Sequence, residues 1–324
     1  MGGGKTLEVH LYIQNGQSVY EPVVQGSITW EMQRKGQPGK CSFTIIPDNK
    51  LQIEEGNAVR LDVNGKSVFF GFIFERSWNR EGQVKVSVYD QLRYLKNTDS
   101  YNYSNLSTGE VILMIAKDYN LQTGELIDTG HKLSRNRPDK TLFDIILDSL
   151  DLTLIHTGKM YVLYDDAGKL ALNDVENMKL DIMIDDSTAQ DYDYKISIDS
   201  NTYNQIKLYY DNNDTKKREV YMTKATETIN KWGILQKNES IEKGVNGQAV
   251  AERYLSLYNR PSRSLSVKGA FGDIRVRAGC LIPVFLNIKE MELKNYLLVE
   301  SVTHKIDEGI HTMDLALRGV GING

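Results

Sequence analysis

The 324-residue sequence lacks several features that would place it in a common functional class. No run of about 18 apolar residues occurs, so no membrane-spanning helix is expected. The N-terminal residues also lack the continuous apolar stretch of a signal peptide. The formal net charge is -4, which excludes a basic nucleic-acid footprint over the whole chain. The composition is therefore that of an ordinary soluble protein with no specific nucleic-acid binding.

Cysteine and proline are both scarce, with two and six residues respectively. Cys41 and Cys280 lie far apart and outside any C-x-x-C motif, which predicts two buried free thiols rather than a disulfide. Glycine and tyrosine are numerous, with 26 and 18 residues. That combination suits a chain of short strands and turns that presents flat, amphipathic surfaces to other proteins.

Alternation of apolar and polar residues predicts a first β region over residues 1–97. Asn64 and Gly65 form its clearest turn, because a type I′ hairpin needs positive φ at both central residues. The alternating segments are 10–13, 27–32, 41–46, 59–63, 67–74 and 84–89. Together they predict a small antiparallel barrel, closed or nearly closed.

The pattern changes near residue 98 and predicts an α+β domain over residues 98–190. Ser107 and Glu110 have the spacing of a capping box and precede an apolar run, which predicts a first helix. A second helix is predicted to begin near Pro138 and Asp139, with an apolar stripe over 142–150. A three-stranded meander is predicted behind it, at 153–156, 160–163 and 170–172.

A second β region is predicted over residues 191–324, with a helical insertion near 247–259. Its strands are predicted at 204–210, 218–222, 264–267, 280–285, 296–300 and 311–317. The two β regions resemble each other: a strand follows Gly56 in one and Gly279 in the other, and segment 72–77 aligns with 297–302. Hairpin tips at Gly82 and Gly309 also match. We therefore expect a mainly β protein with an α+β middle domain and two similar antiparallel β-barrel domains.

No motif predicts a catalytic, cofactor-binding or metal site. Residues 1–6 fit a myristoylation pattern and echo the end of a P-loop, but a flexible glycine-rich start explains them. Residues 211–215 hint at a calcium loop, yet Lys216 and Met222 stand where Gly and Glu are required. His304 and His311 are predicted on the two strands of one hairpin and are expected to be surface residues, not metal ligands.

Two adjacent carboxylate pairs are candidate glycosidase groups, Asp165 with Asp166 and Asp185 with Asp186. A glycosidase needs two carboxyl groups held roughly 5–10 Å apart. Both pairs lie in turn-like sequence, where adjacent side chains point apart into solvent. We therefore expect solvated turns and no enzymatic activity.

Five ordered segments resemble the XkdQ/YqbQ-type proteins of phages and phage-like elements of Gram-positive bacteria, which are related to baseplate hub proteins of contractile tails. The segments are GQPGKCSF (36–43), VFFGFIF (68–74), YDQLRYLKN (89–97), TYNQIKLY (202–209) and FGD (271–273). The resemblance implies a homotrimer in which two similar barrels per chain form a ring of six. That ring would meet the sixfold tail tube on one side and the threefold central spike on the other.

The resemblance implies a structural role in a phage tail or a tail-like bacteriocin particle, assembled in the host cytoplasm beside baseplate wedge proteins. Because the sequence ends at Gly324, soon after the second barrel, any spike or hydrolase is expected to be a separate chain. Two alternatives remain open. One is a tail-associated cell-wall hydrolase with an unrecognised carboxylate pair, and the other is a carbohydrate-binding tail-tip protein that uses its tyrosines for sugar stacking.

Overall fold

The computed structural model describes residues 7–48, 50–212, 216–241, 244–288 and 291–319. Its buried apolar side chains gather into four cores, which lie in the first β region, the α+β segment, the second β region and a small unit inserted into the latter. The fold is mainly β, as the alternating sequence predicts.

The first β region is an antiparallel sheet curled around one core. Its strands are β1 (Val9–Asn15), β2 (Ser18–Tyr20), β3 (Val24–Gln33), β4 (Lys40–Ile45), β5 (Ala58–Val63), β6 (Lys66–Trp78) and β7 (Val84–Tyr89), in the spatial order β3-β4-β7-β6-β5-β1-β2. Asn64 and Gly65 have φ of 49° and 73°, as a type I′ turn requires. Within the described residues no ladder joins β2 to β3, so the sheet curls without closing.

The α+β segment contains two helices packed on short strands. Its elements are β8 (Thr98–Ser107), α1 (Thr108–Asp118), β9 (Thr123–Leu126), β10 (Lys132–Thr141), α2 (Leu142–Thr157), β11 (Tyr161–Asp165) and β12 (Leu170–Asp174), with 3₁₀ turns at Gln91–Lys96 and Val175–Met178. Ser107 and Glu110 form the expected capping box, because each side chain bonds the other residue's backbone N–H.

Two predictions for this segment are wrong. The second helix does not begin near Pro138 and Asp139, which belong to β10, but after Thr141, whose hydroxyl accepts a hydrogen bond from the Asp144 N–H. Residues 153–156 are the last turns of this helix and not a strand. A short apolar run cannot by itself distinguish a buried helix from a strand, and here packing against the core determines the outcome.

The second β region follows, with a separate unit inserted in it. The elements are β13 (Ile184–Asp185), β14 (Asp191–Ser197), β15 (Gln205–Asn212), β16 (Lys217–Lys224), α3 (Thr226–Trp232), β17 (Gln236–Ser240), α4 (Gly247–Tyr258), β18 (Ser262–Phe271), β19 (Leu281–Ile288), β20 (Met291–Asp307) and β21 (Ile310–Gly319). The spatial order of the main strands is β14-β18-β21-β20-β19-β13.

The insertion is larger than the single helix that the sequence predicts. Strands β14 and β18 pair directly, so everything between them leaves the sheet. Strands β15, β16 and β17 form their own three-stranded sheet, on which α4 packs through Ala251 and Tyr254. Alternation locates a strand but does not say which sheet the strand joins, which is why β15 and β16 were predicted in the barrel.

The two β regions share one strand order. The spatial order is β3-β4-β7-β6-β5 in the first region and β14-β18-β21-β20-β19 in the second. When the five strands of each set are numbered along the chain, both orders read 1-2-5-4-3. The N–H of Gly56 donates to the Ile73 carbonyl at 2.8 Å, and that of Gly279 donates to the Val299 carbonyl at 2.8 Å. A register shift follows each acceptor, at Phe74 in β6 and at Glu300 in β20. The structural match therefore sets Glu300 against Phe74, one residue from the Glu75 alignment that the sequence suggested.

Candidate functional site

The two β regions are joined by one ladder, which we call the seam: β3 paired antiparallel with β20 from Gln33 opposite Ser301 to Ile28 opposite Ile306. Strand β20 has 17 residues. One of its edges is occupied by β21, so its other edge must hold both β19, along residues 291–298, and β3, along residues 301–306. A single long strand thus connects both regions into one sheet.

Glu300 fastens the end of the seam. It occupies the register shift in β20, and such a bulge redirects a side chain. Its carboxylate accepts two hydrogen bonds from Arg34, at 2.8 and 3.0 Å, and one from Arg318 at 2.6 Å. Burial opposes ionisation, but these two guanidinium groups outweigh it and hold the pKa of Glu300 below its ordinary value. The result is a part-buried ion triad that joins the residue after β3 to β20 and β21.

His304 lies fully buried in the middle of the seam. Its Nε2 lies 2.9 Å from the Val276 carbonyl oxygen, which can only accept, so Nε2 carries the proton. Its Nδ1 then accepts from Nε2 of His311 at 2.9 Å, and its ring stacks on Trp30 with centroids 4.7 Å apart. Burial, reinforced by His311, lowers the pKa of His304 to about 3.

The expectation that His304 is a surface residue is therefore wrong, whereas the predicted placement of the two histidines on the two strands of one hairpin is confirmed. The facing nitrogens bind each other, and the other nitrogen of His304 binds a carbonyl. Within the described ranges, no group of three or more His, Cys, Asp or Glu side chains is placed to hold a metal ion. Both histidines belong to the second β region, and the stack of His304 on Trp30 links them to the first.

A second buried polar cluster lies where the first β region meets the α+β segment. The Asp90 carboxylate accepts hydrogen bonds from the N–H groups of Gly39, at 2.9 Å, and Leu92, at 3.0 Å. Asp165 accepts one from the Gly168 N–H at 2.7 Å. Burial and the charge of Asp165 raise the pKa of Asp90, and burial raises that of Asp165 to about 6. Because a negative charge on one carboxyl group disfavours a negative charge on the other, the two groups resist simultaneous ionisation.

The space beside this cluster is small. Trp30, Asp90, Leu163, Asp165 and Arg277 help to line a cavity of about 20 Å³, which is room for roughly one water molecule. A sugar ring does not fit there. The two carboxyl groups therefore hold backbone segments together, and the prediction that Asp165 is a solvated turn residue is wrong.

Residues 28–318 match the family model named YqbQ-like. The chain belongs to the YqbQ-like family. A relative, the phage-like element PBSX protein XkdQ of Bacillus subtilis (strain 168), is 29% identical over 304 residues, covering 90% of this chain and 92% of that protein.

Solved structures similar to this YqbQ-like chain show the fold. The 43 kDa tail protein of prophage MuSo2 from Shewanella oneidensis has a TM-score of 0.70 at 12% identity, covering 95% of this chain and 98% of that one. A type VI secretion system component of E. coli, described as similar to the T4 tail proteins gp27 and gp5, has a TM-score of 0.56 at 10% identity, covering 96% and 77%. The fold is that of phage tail and baseplate proteins.

The other candidate residues of the YqbQ-like chain have structural positions. Asp166 lies 3.3 Å from Arg277, and Asp185 accepts hydrogen bonds within its own turn, while Asp186 is exposed. Cys41 and Cys280 are buried free thiols, as predicted, and burial raises the pKa of Cys41 to about 12. Residues 1–6 and 213–215 lie outside the described ranges. No described helix has the length and apolarity needed to cross a bilayer.

Sequence reasoning missed Asp90, Arg34 and Trp30. A signal existed for Asp90, because an aspartate directly before an apolar turn is a helix N-cap pattern, and its carboxylate caps the turn Gln91–Lys96. No local sequence pattern indicates the contacts of Arg34 and Trp30, because their partners in the YqbQ-like fold lie more than 260 residues further along the chain. For Arg34 the separation is 266 residues.

Proposed function

We propose that this YqbQ-like chain is a non-enzymatic structural protein, the baseplate hub of a contractile phage tail or of a tail-like bacteriocin particle. It acts as a homotrimeric adaptor between the sixfold tail tube and the threefold central spike, beside wedge proteins. The observation that carries this proposal is the pair of β regions with one strand order, joined side by side by the seam.

Three copies of a chain with two similar sheets present six similar faces and only three copies of everything else. Such a particle matches a sixfold partner through the sheets and a threefold partner through the remaining segments. We retain the domain division 1–97, 98–190 and 191–324, with the insertion enlarged to the unit between β14 and β18. The comparisons support a tail protein. The ion triad at the end of the seam supports a rigid connection between its two β regions.

The buried polar groups favour this role over a hydrolase. Both carboxyl groups of the Asp90 and Asp165 cluster accept backbone hydrogen bonds around a space of about 20 Å³. The histidines of the seam are likewise occupied by each other. Such groups stabilise a joint and are not free to act as an acid–base pair on a substrate.

Light scattering of the purified chain, alone and with its cognate spike protein, tests the proposal. We expect a trimer, at the latest when the spike is present. A stable dimer or tetramer under both conditions contradicts it. In the producing strain, deletion of the gene should leave tails to which no spike is joined. In wild-type particles, the chain should be found at the baseplate. Zymography and binding to host cells separate the hub from the hydrolase and sugar-binding alternatives, for which one of these assays would be positive.

A further inference from the structure

Two positions at one end of each sheet correspond to each other, although their residues differ. Asp90 of the first β region corresponds to Gly319 of the second. Gly39, which lies beside Asp90, corresponds to Arg263. The matched carbonyl acceptors in β6 and β20 fix both assignments, because the strand registers continue from them without a shift as far as these residues. We call the end at Gly39 and Asp90 the first mouth, and the end at Arg263 and Gly319 the second mouth.

A carboxylate of the chain itself closes the first mouth. The Asp90 carboxylate accepts a hydrogen bond from the Gly39 N–H at 2.9 Å. Only glycine leaves room for it, because a Cβ at residue 39 would collide with the carboxylate oxygen. With Asp165 and Arg277 beside it, the remaining cavity has a volume of about 20 Å³. The chain thus fills this mouth with its own negative charge.

The second mouth has the opposite arrangement. Its side chain is on Arg263 while Gly319 has none, so neither residue of this pair provides a carboxylate at the place of Asp90. A cavity of about 160 Å³ remains, which is room for much more than one water molecule. The guanidinium groups of Arg260, Arg263 and Arg318 line it, and no described lining residue is Asp or Glu.

The positive charge at the second mouth is not balanced within the described chain. Arg318 donates to Glu300 at 2.6 Å, but Glu300 also accepts from Arg34. The side chains of Arg260 and Arg263 form no salt bridge with any described carboxylate. Burial and the charge of Arg318 lower the pKa of Arg260 below its ordinary value. Because charges that are taken out of water are normally paired, this mouth lacks a negative group.

The rest of the lining suits an acid with an apolar stem. Tyr194 lines the cavity, and its buried hydroxyl has no hydrogen-bond partner among the described residues. Leu257, Leu265 and Leu297 add apolar surface. A guanidinium group binds both oxygens of a carboxylate through two parallel N–H donors, and a tyrosine hydroxyl donates one further hydrogen bond. The cavity therefore offers donors to an anion and apolar contact to the group that carries it.

We propose that the second mouth binds the carboxylate of a ligand, at the place that the Asp90 carboxylate occupies in the first mouth. Arg260 and Arg263 hold its oxygens, and the three leucines contact its apolar stem. A free organic acid and an acidic side chain of another protein both present this group. All the residues that bind it belong to one chain, so the proposal does not depend on the proposed trimer or on its role in a tail.

Calorimetric titration of the full chain with hexanoate tests the site, because hexanoate combines a carboxylate with a short apolar stem. We expect saturable binding, which hexan-1-ol should not show because it lacks the charge. Arg260→Gln and Arg263→Gln should each weaken hexanoate binding by about tenfold or more, since each removes a charge-assisted contact. The matched control is Arg80→Gln, at an exposed arginine between β6 and β7, and it should bind as the wild type does.

Gly319→Asp provides a second test, because an aspartate there would repeat the closure of the first mouth. The φ of Gly319 is not positive, and a Cβ on it would lie 3.7 Å from the Arg263 Cβ, which is an ordinary contact. We expect Gly319→Asp to raise Tm by roughly 1–3 °C over the isosteric Gly319→Asn. It should also weaken hexanoate binding more than Gly319→Asn does, because its own carboxylate occupies the arginines.

Two peptides identify the source of the carboxylate. Tighter binding of acetyl-Leu-Glu-Leu-amide than of hexanoate, with no binding of the glutamine version, assigns the site to an acidic side chain of another protein. Tighter binding of hexanoate assigns it to a free acid, and either result supports the site. Absence of saturable binding by both acids, equal binding by the alcohol, or unchanged binding in both arginine variants overturns the proposal. A Gly319→Asp variant no more stable than Gly319→Asn overturns it as well.

Discussion

Gly56 and Gly279 occupy the same place in the two β regions, and alanine at each should have unequal effects. Both have positive φ, 90° and 98°, so either substitution strains the backbone by about 1–2 kcal/mol. A Cβ at residue 56 meets nothing within 4 Å. A Cβ at residue 279 would lie 2.7 Å from Cγ1 and 3.0 Å from Cγ2 of Val162, which is 2% exposed. Overpacking of this kind adds about 1–3 kcal/mol.

We therefore expect Gly56→Ala to lower the free energy of unfolding by about 1–2 kcal/mol and Gly279→Ala by about 2–5 kcal/mol. Urea denaturation of both variants measures the difference. A double-mutant cycle with Val162→Ala identifies its origin, because the smaller side chain removes the overlap. Val162→Ala should destabilise the Gly279→Ala variant less than it destabilises the wild type, by at least about 1 kcal/mol. Equal costs for the two glycine variants, or an additive cycle, would refute the reasoning.

Three further substitutions test the polar joints. Because burial raises the folded-state pKa of Asp165 to about 6, its stabilising contribution is complete at low pH and is lost as pH rises through 6. Asp165→Asn should therefore raise the free energy of unfolding above wild type by about 2–3 kcal/mol at pH 8 and by little at pH 4. Urea titrations at both pH values, with the exposed Asp186→Asn as the matched control variant, measure this difference. Glu300→Gln should cost about 2–4 kcal/mol at neutral pH because Arg34 loses its charged partner, and this cost should shrink as pH falls through the depressed pKa of Glu300; a constant cost down to pH 3 would contradict the assignment. His304→Ala should cost about 2–4 kcal/mol by leaving a void and an unpaired carbonyl and should change the near-ultraviolet circular dichroism of the stacked tryptophan; an unchanged spectrum would contradict the stacking.

Local patterns predicted most individual elements of the chain. The turn at Asn64 and Gly65, the capping box at Ser107 and the helix at Gly247–Tyr258 all depend on residues within a few positions of one another. The alternation that located β5, β6 and β7 also located β19, β20 and β21, because each hairpin buries one face. The shared strand order could therefore be anticipated from two short segments and two glycines.

Non-local contacts could not be predicted in the same way. Strands β8 and β10 were missed because their sequences are largely polar, although Tyr101 and Tyr103 alternate and both are buried under the helices. Asp165 reads as a turn residue, and only the approach of Asp90 makes it part of a joint. The assignment of β15 to a separate sheet depends on α4, which follows it by about 40 residues, and no pattern within the strand indicates this.

The seam also affects how the chain reaches its folded state. Arg34 and Glu300 are separated by 266 residues, so the edge of β3 waits for almost the whole chain before its partner exists. At about 5–20 residues per second, a ribosome needs roughly 15–50 s to make that stretch. During this time the edge of β3 that later pairs with β20 is bare, and a bare strand edge is the kind of surface that pairs with wrong chains. In a slow, crowded host we therefore expect misfolding of this protein to begin at its N-terminal sheet. Its dependence on chaperones should end when the ribosome has released β20.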